Sequence, residues 1–185
     1  RRELMACGLP EDRPLRVQCL SAWMPELELP AFDQPSLHRV LRRLGDRCRS
    51  FADLQRAPWL QELKNALTWP QLAAVEREAP EHLEVPSGSR LRLTYEVGRS
   101  PVLAVRIQEL FGLCETPRIA GGRVKVLLHL LAPNQRPQQV TDDLASFWAN
   151  TYAVVRKELA RRYPKHAWPD DPLTAAPTAR AKPRA

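Results

Sequence analysis

Proline is distributed along the whole chain and limits what this sequence can fold into. The 185 residues include 18 prolines, close to twice the usual share of about 5%. Because proline ends or kinks helices and cannot donate to the interior of a sheet, most regular elements must be short. The prolines are scattered and do not form a low-complexity tract. They therefore predict short elements that are separated by turns within a globular fold.

The composition indicates a globular chain without a metal centre or a membrane span. Hydrophobic residues make up 44% and charged residues 26%, and a chain of this length can bury roughly 70% of its unfolded surface. No apolar run approaches the roughly 18 residues that a membrane helix needs. The four cysteines form no CxxC pair and the histidines are equally dispersed, so no zinc site is predicted. Isolated thiols such as Cys7, Cys19, Cys48 and Cys114 are typical of the reducing cytoplasm.

The first part of the chain has helical spacing that is interrupted by proline. Apolar residues recur at helical intervals from Leu15 to Trp23, and Pro25 ends that run. Three further helices are predicted, each with a capping residue before an apolar stripe. Their predicted caps are Ser36, Ser50 and Thr68, and the tryptophans Trp23, Trp59 and Trp69 are interpreted as core residues.

The pattern changes from helical spacing to alternation after Pro80. In HLEVPSGSRLRLTYEV, apolar residues alternate on both sides of a Pro-Ser-Gly-Ser turn, which predicts a β-hairpin. Arg90, Arg92 and Thr94 then share its outer face, because alternate side chains of a strand point the same way.

The elements after the hairpin are predicted as a helix and two strands. SPVLAVRIQELFG is predicted as a helix, because Ser100 can cap it, Pro101 suits its first turn and Gly112 suits the position after it. RVKVLLHLL is predicted as a central strand covered on both faces, because Leu127 and Leu131 face away from its other apolar side chains. After a turn, QQV is predicted to return as a short edge strand.

The stretch TDDLASFWANTYAVVRKELARRY has the strongest helical pattern in the sequence. Thr141 is its predicted cap, and Asp142 and Asp143 lie at the positive end of the helix dipole. Pro164 is expected to end the helix.

These elements predict an α+β fold in three parts. Residues 1–80 form a helical subdomain, and residues 81–163 form a sheet subdomain of a hairpin, a helix, two strands and a long helix. The order of elements in the sheet subdomain suits a β-grasp arrangement. Residues 164–185 form an extended tail. The stretch from Tyr163 to Pro172, which includes the start of the tail, is expected to pack on its own domain, and the last dozen residues are expected to be mobile.

Positive charge is concentrated in two stretches of a chain whose formal net charge is +7. Residues 90–136 contain eight basic and three acidic residues, and residues 161–185 contain six and two. Such concentration can attract a polyanion such as RNA or DNA, whereas a basic stretch taken alone is more often a solvated surface. The candidate nucleic-acid contacts are Arg90, Arg92, Arg118, Arg123, Lys125, Arg180, Lys182 and Arg184.

The sequence has no motif that would make these residues catalytic. It contains no GxxxxGK[ST] loop, so no nucleotide site of the P-loop kind is predicted. Gly121 and Gly122 are interpreted as a tight turn, with an anion cradle beside Arg118 and Arg123 as the alternative. Asp142 and Asp143 are explained by helix capping. No catalytic residue and no metal ligand are predicted.

Long strings in the second half of the chain resemble a known family. HLEVPSGSRLRLTYE, PVLAVRIQELFGLCETPRIAGGRVKVLLHLLAPNQRPQQVTDDLASFW and YPKHAWPDDPLTAAPTARAKPRA are similar to the C-terminal region of bacterial HrpB-type ATP-dependent helicases, a DEAH-box branch. The similarity is strong from about residue 78 onward and looser before it. The sequence also begins RRELMACG, without an initiator methionine, which is expected of a segment from a longer protein.

The resemblance implies what the parent protein does and what this segment lacks. It implies two motor domains upstream that hold ATP and Mg²⁺, drive the remodelling of RNA and are partners of this segment. No cofactor is predicted for these 185 residues themselves. Two functions remain open for them. One is an accessory, sequence-independent contact to nucleic acid, with RNA favoured over DNA, and the other is a docking module that contacts the motor or a protein partner.

Overall fold

The computed structural model describes residues 12–30, 38, 42, 50, 53 and 67–179. The chain divides into two compact units. The helical unit comprises residues 1–81 and 95–99, and the sheet unit comprises residues 82–94 and 100–185. Together they make an α+β protein, as the sequence predicts.

Most of the two helices predicted after Ser36 and Ser50 lies outside the described residues. The cap at Ser50 is described, because its hydroxyl accepts a hydrogen bond from the Asp53 N–H at 3.1 Å. That is the contact that an N-cap side chain makes with the third residue of a helix. Trp59, Cys7 and Cys48 lie outside the described residues as well.

The helical unit contains helix α1 over Asp12–Trp23, a 3-10 turn over Pro25–Leu27 and helix α2 over Trp69–Glu78. Helix α1 ends before the proline that was predicted to end it. Helix α2 begins with a capping box, in which the Thr68 hydroxyl accepts from the Gln71 N–H at 3.4 Å and the Gln71 side chain accepts from the Thr68 N–H at 3.0 Å. This exchange satisfies two backbone donors and confirms the predicted cap.

A buried arginine joins these two helices. The Arg16 side chain is 1% exposed, and its Nε donates to the carbonyl of Ala79 at 2.5 Å. Its Nη2 donates to the Val75 carbonyl at 3.4 Å and to the Glu76 carboxylate at 2.9 Å. The guanidinium therefore caps the end of α2 by pairing with the Ala79 carbonyl, and it adds a second donor to the Val75 carbonyl, which also accepts from the Ala79 N–H at 3.0 Å. Arg16 could not be singled out from the sequence, since an isolated arginine in a helical pattern is usually solvated.

The prediction that Trp69 is a core residue is wrong. Its side chain is 80% exposed. Trp69 is the first residue of α2, while the buried residues of that helix are Ala74 and Val75, in its second turn. A side chain placed before the buried stripe of a short helix can point to solvent, whatever its hydrophobicity. Trp23 is half-buried and stacks at a tilt on Tyr95, with ring centroids 6.3 Å apart.

The sheet unit begins with the predicted hairpin and continues with more strands than the sequence predicted. Its strands are His82–Glu84 (β1), Arg90–Thr94 (β2), Val102–Arg106 (β3), Arg118–Ile119 (β4), Val124–Lys125 (β5), Leu127–Leu131 (β6) and Pro137–Thr141 (β7).

These strands form a five-stranded sheet in the order β1-β2-β3-β6-β7 and a separate two-stranded sheet of β4 and β5. Strands β3 and β6 are parallel, and the other neighbours are antiparallel. The hairpin prediction is confirmed by the pairing of Leu83 with Leu91. The predicted edge strand is confirmed as β7, whose pairing with β6 shifts register at Leu130 and Leu131.

The prediction of a helix over SPVLAVRIQELFG is wrong, because this stretch contains strand β3. Its first half is a strand that pairs with β2 and β6, and only Ile107–Leu110 turns as a 3-10 helix. The β-branched residues Val102 and Val105 favour the strand, and the parallel ladder with β6 supplies the hydrogen bonds that a helix would have made internally. A β-grasp arrangement needs a helix at this place, so the structure gives that expectation no support.

The stretch RVKVLLHLL differs from the prediction in two respects. It is two strands, because Val126 separates β5 from β6 and donates its N–H to the carbonyl of Pro117 at 2.9 Å. Its second face is not closed either, since Leu127 and Leu131 are only half-buried, whereas Leu128 and Leu130 are fully buried.

The predicted C-terminal helix is present, with a wider turn inside it. Helix α3 covers Leu144–Ser146, a π-helical turn covers Phe147–Thr151 and helix α4 covers Tyr152–Arg162. Asp143, and not Thr141, is the cap, because its carboxylate accepts from the Ser146 N–H at 3.0 Å. The Thr141 hydroxyl instead accepts from the Asp143 N–H at 2.9 Å. The cap therefore lies two residues after the predicted position.

An aromatic cluster fills the core of the sheet unit. Phe111, Phe147, Trp148 and Tyr152 are each less than 10% exposed, and their ring centroids lie 5.0–6.3 Å apart. Most pairs are tilted or edge-on, which is the favourable geometry for aromatic rings. The Trp148 indole donates to the carbonyl of Leu113 at 2.8 Å, so its one polar atom is satisfied inside the core.

Residues 163–179, the C-terminal segment, pack along this core. The Tyr152 hydroxyl donates to the carbonyl of Pro169 at 3.0 Å, and the Trp168 indole donates to the carbonyl of Tyr163 at 2.9 Å. Arg156 forms an ion pair with Asp170. The prediction that Tyr163 to Pro172 pack on their own domain is confirmed by these contacts.

The packed part of the C-terminal segment continues beyond Pro172. The Gly112 N–H donates to the carbonyl of Pro172 at 2.9 Å, and the Thr178 N–H donates to the carbonyl of Gln108 at 3.0 Å. The mobility of the last dozen residues stays a prediction. The hydrogen bond of Thr178, which lies among them, provides a direct test of it.

Candidate nucleic-acid interface

The five-stranded sheet has two faces of different character. Leu93, Leu103, Val105, Leu128 and Leu130 are buried and form its core face. The alternate side chains form the opposite face, which we call the open face. The open face consists of Arg90, Arg92 and Thr94 on β2, Val102, Ala104 and Arg106 on β3, Leu127, His129 and Leu131 on β6, and Val140 on β7.

Two candidate residues, Arg90 and Arg92, lie on the open face and are exposed. The register places Arg90 opposite Glu84 and Arg92 opposite His82 on β1. Cross-strand neighbours have side chains within about 5 Å at the Cβ atom, so Glu84 offsets part of the charge of Arg90. The prediction that the two arginines share an outer strand face is confirmed.

Arg106 extends this basic edge onto β3 and was not among the residues predicted from the sequence. Its Nε donates to the Glu109 carboxylate at 2.9 Å, and that carboxylate, 2% exposed, also accepts from the Ser87 hydroxyl at 3.0 Å. The Arg106 charge is therefore largely compensated by a buried carboxylate. Since β3 was predicted as a helix, alternation could not place Arg106 beside the arginines of β2.

The other described candidates lie on the two-stranded sheet. Arg118 pairs with Lys125 across β4 and β5, and its Nη1 donates to the carbonyl of Gly122 at 3.1 Å. These two cations border a cavity of about 250 Å³. The cavity is lined by Glu115, Thr116, Arg118, Lys125, Asp143 and Ala145.

The two carboxylates in this lining oppose the two cations, so the cavity has a mixed charge. Arg123 is exposed in the turn between β4 and β5. The described candidates thus fall on two different sheets, and Arg90 with Arg92 form the more uniform of the two basic surfaces. Arg180, Lys182 and Arg184 lie outside the described residues.

The geometry at Gly121 and Gly122 supports a tight turn and not an anion cradle. Ala120, Gly121 and Gly122 all have positive φ, at 53°, 61° and 83°. The Gly122 N–H donates to the carbonyl of Ile119, and the Arg123 N–H donates to that of Ala120, both at 3.1 Å. These donors are used inside the turn, so they are not available to cradle an anion.

Burial and neighbouring charges shift the pKa values of two ionisable groups in the sheet unit. Burial raises the pKa of Tyr152 to about 12, against the opposing effect of Arg156. Burial lowers the pKa of His166, and the nearby Arg106 guanidinium lowers it further. In the helical unit, burial raises the pKa of the Cys19 thiol to about 11, which makes it a poor nucleophile.

Among the residues that the structure describes, no three His, Cys, Asp or Glu side chains are grouped as metal ligands. In the same part of the chain, no helix has the length and hydrophobicity needed to cross a membrane.

A comparison with protein families gives a match to the family described as ATP-dependent helicase C-terminal (HrpB_C), over residues 40–172. The chain belongs to this family. The resemblance inferred from the sequence strings is thereby confirmed, and it extends further toward the N-terminus than the strings that suggested it.

HrpB proteins are also its relatives by sequence and by structure. The chain is 43% identical over 176 residues to the ATP-dependent RNA helicase HrpB of Escherichia coli strain K12, covering 93% of this chain and 22% of that protein. A crystal structure of the E. coli DExH-box NTPase HrpB superposes with a TM-score of 0.86 at 42% identity, over 92% of this chain.

A second crystal structure, of the Escherichia coli DEAH/RHA helicase HrpB, has a TM-score of 0.70 at 40% identity, over 85% of this chain. This chain therefore spans about a fifth of the length of the HrpB proteins that it matches.

Proposed function

We propose that this chain is the accessory C-terminal domain of an ATP-dependent RNA helicase and adds sequence-independent nucleic-acid contacts to a motor located upstream. The observation that supports this most directly is the exposed pair Arg90 and Arg92, side by side on the open face. The Cα atoms of alternate strand positions lie roughly 6.6 Å apart, so two flexible arginine side chains that start from them can reach successive phosphates of an extended nucleic-acid strand.

Contacts of this kind contribute affinity and register without reading sequence. Each neutralised phosphate releases counterions, so binding weakens as salt rises, with a slope near −0.7 per contact for a single strand. The Glu84 carboxylate opposite Arg90 lowers the positive potential at that position.

The proposed partner is RNA in preference to DNA, since the E. coli relative HrpB is described as an RNA helicase. The upstream domains of the same protein are the second partner. ATP and its Mg²⁺ ion are assigned to those domains, because this sequence has no phosphate-binding loop. The domain is expected to act in the cytoplasm together with its motor.

A binding titration tests this proposal. Fluorescence anisotropy of a labelled 20-nucleotide single-stranded RNA would be followed from 25 to 200 mM KCl for the natural chain and for Arg90→Ala/Arg92→Ala. Loss of two phosphate contacts should reduce the slope of log K against log salt by about 1.4. Arg118→Ala/Lys125→Ala should have a smaller effect, because Glu115 and Asp143 lie in the same cavity.

The matched control is Arg77→Ala/Arg99→Ala, which removes two exposed cations from the helical unit, where they pair with Glu78 and Glu96. This control should retain the binding of the natural chain. The proposal fails if the natural chain does not bind RNA at 25 mM KCl, or if the control loses as much affinity as the variant of the open face.

Docking to a protein surface is a second candidate function, and Trp69 favours it. The Trp69 side chain is 80% exposed, and tryptophan is enriched at the energetic centres of protein interfaces. If docking is the function, Trp69→Ala should weaken the association of this chain with the upstream domains supplied as a separate protein by 10-fold or more. RNA binding by this chain alone would then be undetectable.

A further inference from the structure

The open face carries more than its arginines, and its register suggests how a ligand would lie on it. We propose that this face accommodates single-stranded nucleic acid, with bases resting on Ala104 and His129 and phosphates on Arg90 and Arg92. This inference rests on the proposed function, which it extends from a pair of phosphate contacts to a defined strand-binding surface.

The first support is the way in which side chains form rows across the strands. Ala104 pairs with His129, and His129 pairs with Val140, so these three side chains form one row over β3, β6 and β7. A parallel row runs from Thr94 through Val102 to Leu127. Neighbouring strands lie about 4.8 Å apart, so each row offers a surface about 10 Å long, which is wide enough for a nucleobase.

The second support is the shape and chemistry of the row that contains Ala104. Ala104 is exposed and has the smallest side chain of the row, while His129 beside it is half-buried. Because the alanine side chain is short, a planar group can lie over Ala104 against the edge of the imidazole. Unstacked bases bind to surfaces of this type by stacking on aromatic side chains, including histidine.

The third support is the separation of apolar and charged side chains on the same face. Val102, Leu127 and Leu131 are half-buried on β3 and β6, and Val140 is 51% exposed on β7. The two candidate arginines lie toward the other edge, on β2. Arg106 lies between the two groups on β3, but its charge is compensated by Glu109. A single strand has the same division, with charged phosphates on one side and apolar base faces on the other.

This division argues against a duplex as the ligand. A duplex keeps its bases stacked inside and presents phosphates on its surface, so it could contact Arg90 and Arg92 but could not cover the apolar rows. A protein partner would also cover the apolar rows, yet it would need carboxylates opposite the arginines. The charge complementarity therefore favours the polyanion, and the protein partner becomes an outcome of the test.

The test compares two neutral substitutions on the open face with one elsewhere in the same unit. His129→Ala removes the imidazole, and Ala104→Gln fills the space over the alanine side chain. Ala153→Gln, on an exposed site of α4, is the matched control for the second change. The probes are a labelled 20-nucleotide oligouridylate and a blunt 20-base-pair RNA duplex, each titrated with the whole 185-residue chain at 50 mM KCl.

Each of the two variants should weaken binding of the oligouridylate by about 5-fold or more, which is the effect of losing one stacked base. Binding of the duplex should change less than 2-fold. His129→Phe keeps an aromatic ring and should retain the affinity for the oligouridylate. Arg90→Ala/Arg92→Ala should weaken both ligands, because it removes contacts to phosphates that both share.

The outcomes separate this inference from the proposed function. If the arginine variant loses both ligands while His129→Ala and Ala104→Gln bind as Ala153→Gln does, the proposed function stands and the base-stacking surface is wrong. If the natural chain binds neither ligand, the proposed function fails and the inference fails with it. Equal losses for oligouridylate and duplex in His129→Ala would also contradict it, since they would indicate a general change in the fold.

Discussion

The two faces of the five-stranded sheet are built from the same strands but have different roles. On β3, Leu103 and Val105 are at most 1% exposed, whereas Val102 is half-buried and Ala104 is exposed. One set of alternate residues is buried in the core, and the other set is half-buried or exposed. The alternation of a strand thus supplies a core and a candidate binding surface from one stretch of five residues.

The two faces differ in burial and polarity. The core-face residues are buried in the same unit as the aromatic side chains Trp148 and Tyr152, which come from the π turn and α4. The open face carries exposed polar side chains at Arg90, Arg92 and Thr94, of a kind that is seldom fully buried. We expect stability to depend on the first face and binding to depend on the second.

The largest effect is expected from a cavity on the core face. Trp148→Ala removes a side chain that is 8% exposed and that donates to the carbonyl of Leu113. It should lower the free energy of unfolding by about 3–5 kcal/mol, as measured by urea denaturation. Val140→Ala on the open face is the comparison, since Val140 is 51% exposed, and it should cost less than about 0.5 kcal/mol. Similar losses in the two variants would contradict the division of roles.

An intermediate effect on stability is expected at the ion pair between Arg106, on the open face, and the buried carboxylate of Glu109. Arg106→Ala leaves a carboxylate that is 2% exposed without its cation and should cost roughly 2–3 kcal/mol. Glu109→Gln leaves a guanidinium whose side chain is 33% exposed, so water can solvate it and the cost should be about 1 kcal/mol. Urea denaturation of both variants tests the order, which would be reversed if the carboxylate were the better solvated partner.

A smaller effect is expected from the end of the C-terminal segment. Deleting residues 174–185 removes the hydrogen bond from the Thr178 N–H to the carbonyl of Gln108 and should cost about 1 kcal/mol. Deleting only residues 180–185 keeps that bond and should change the free energy of unfolding by less than about 0.5 kcal/mol. If the longer deletion leaves the thermal midpoint unchanged, the core face does not need this contact and the predicted mobility of the last dozen residues is supported.

The elements that could be predicted from the sequence are those that local chemistry decides. Pro25 limits α1, the Thr68 side chain caps α2, and the turn around Gly88 closes a hairpin whose outer face carries Arg90 and Arg92. Each of these features depends on residues a few positions apart. Their physical causes are therefore contained in short stretches of sequence.

The elements that could not be predicted depend on distant partners. Ser100, Pro101 and Gly112 fit the ends of a helix, and VLAV is too short to distinguish a helical period from a strand period. The pairing of Val102 with Leu127 decides the outcome, and nothing near β3 in the sequence reports it. The cap at Asp143 is a different case, since its contact with the Ser146 N–H is local and the sequence offers Thr141 and Asp143 as equally acceptable cap residues.

The candidate site follows the same rule. The sequence brings Arg90 and Arg92 together, because one strand holds both. It cannot place Ala104 beside His129, because their contact requires the parallel ladder between β3 and β6. A residue such as His129, which lies in an apolar strand, gives no signal of its own until the neighbouring strands are known.

The hydrogen bond between Gln108 and Thr178 has a consequence for synthesis in the cell. The two residues are 70 positions apart, and ribosomes add about 5–20 residues per second. Roughly 4–14 s of translation must therefore pass after Gln108 is added before its final backbone partner exists. During that interval the nascent chain holds Phe111 without its later covering, so a chaperone that recognises aromatic side chains has time to bind it.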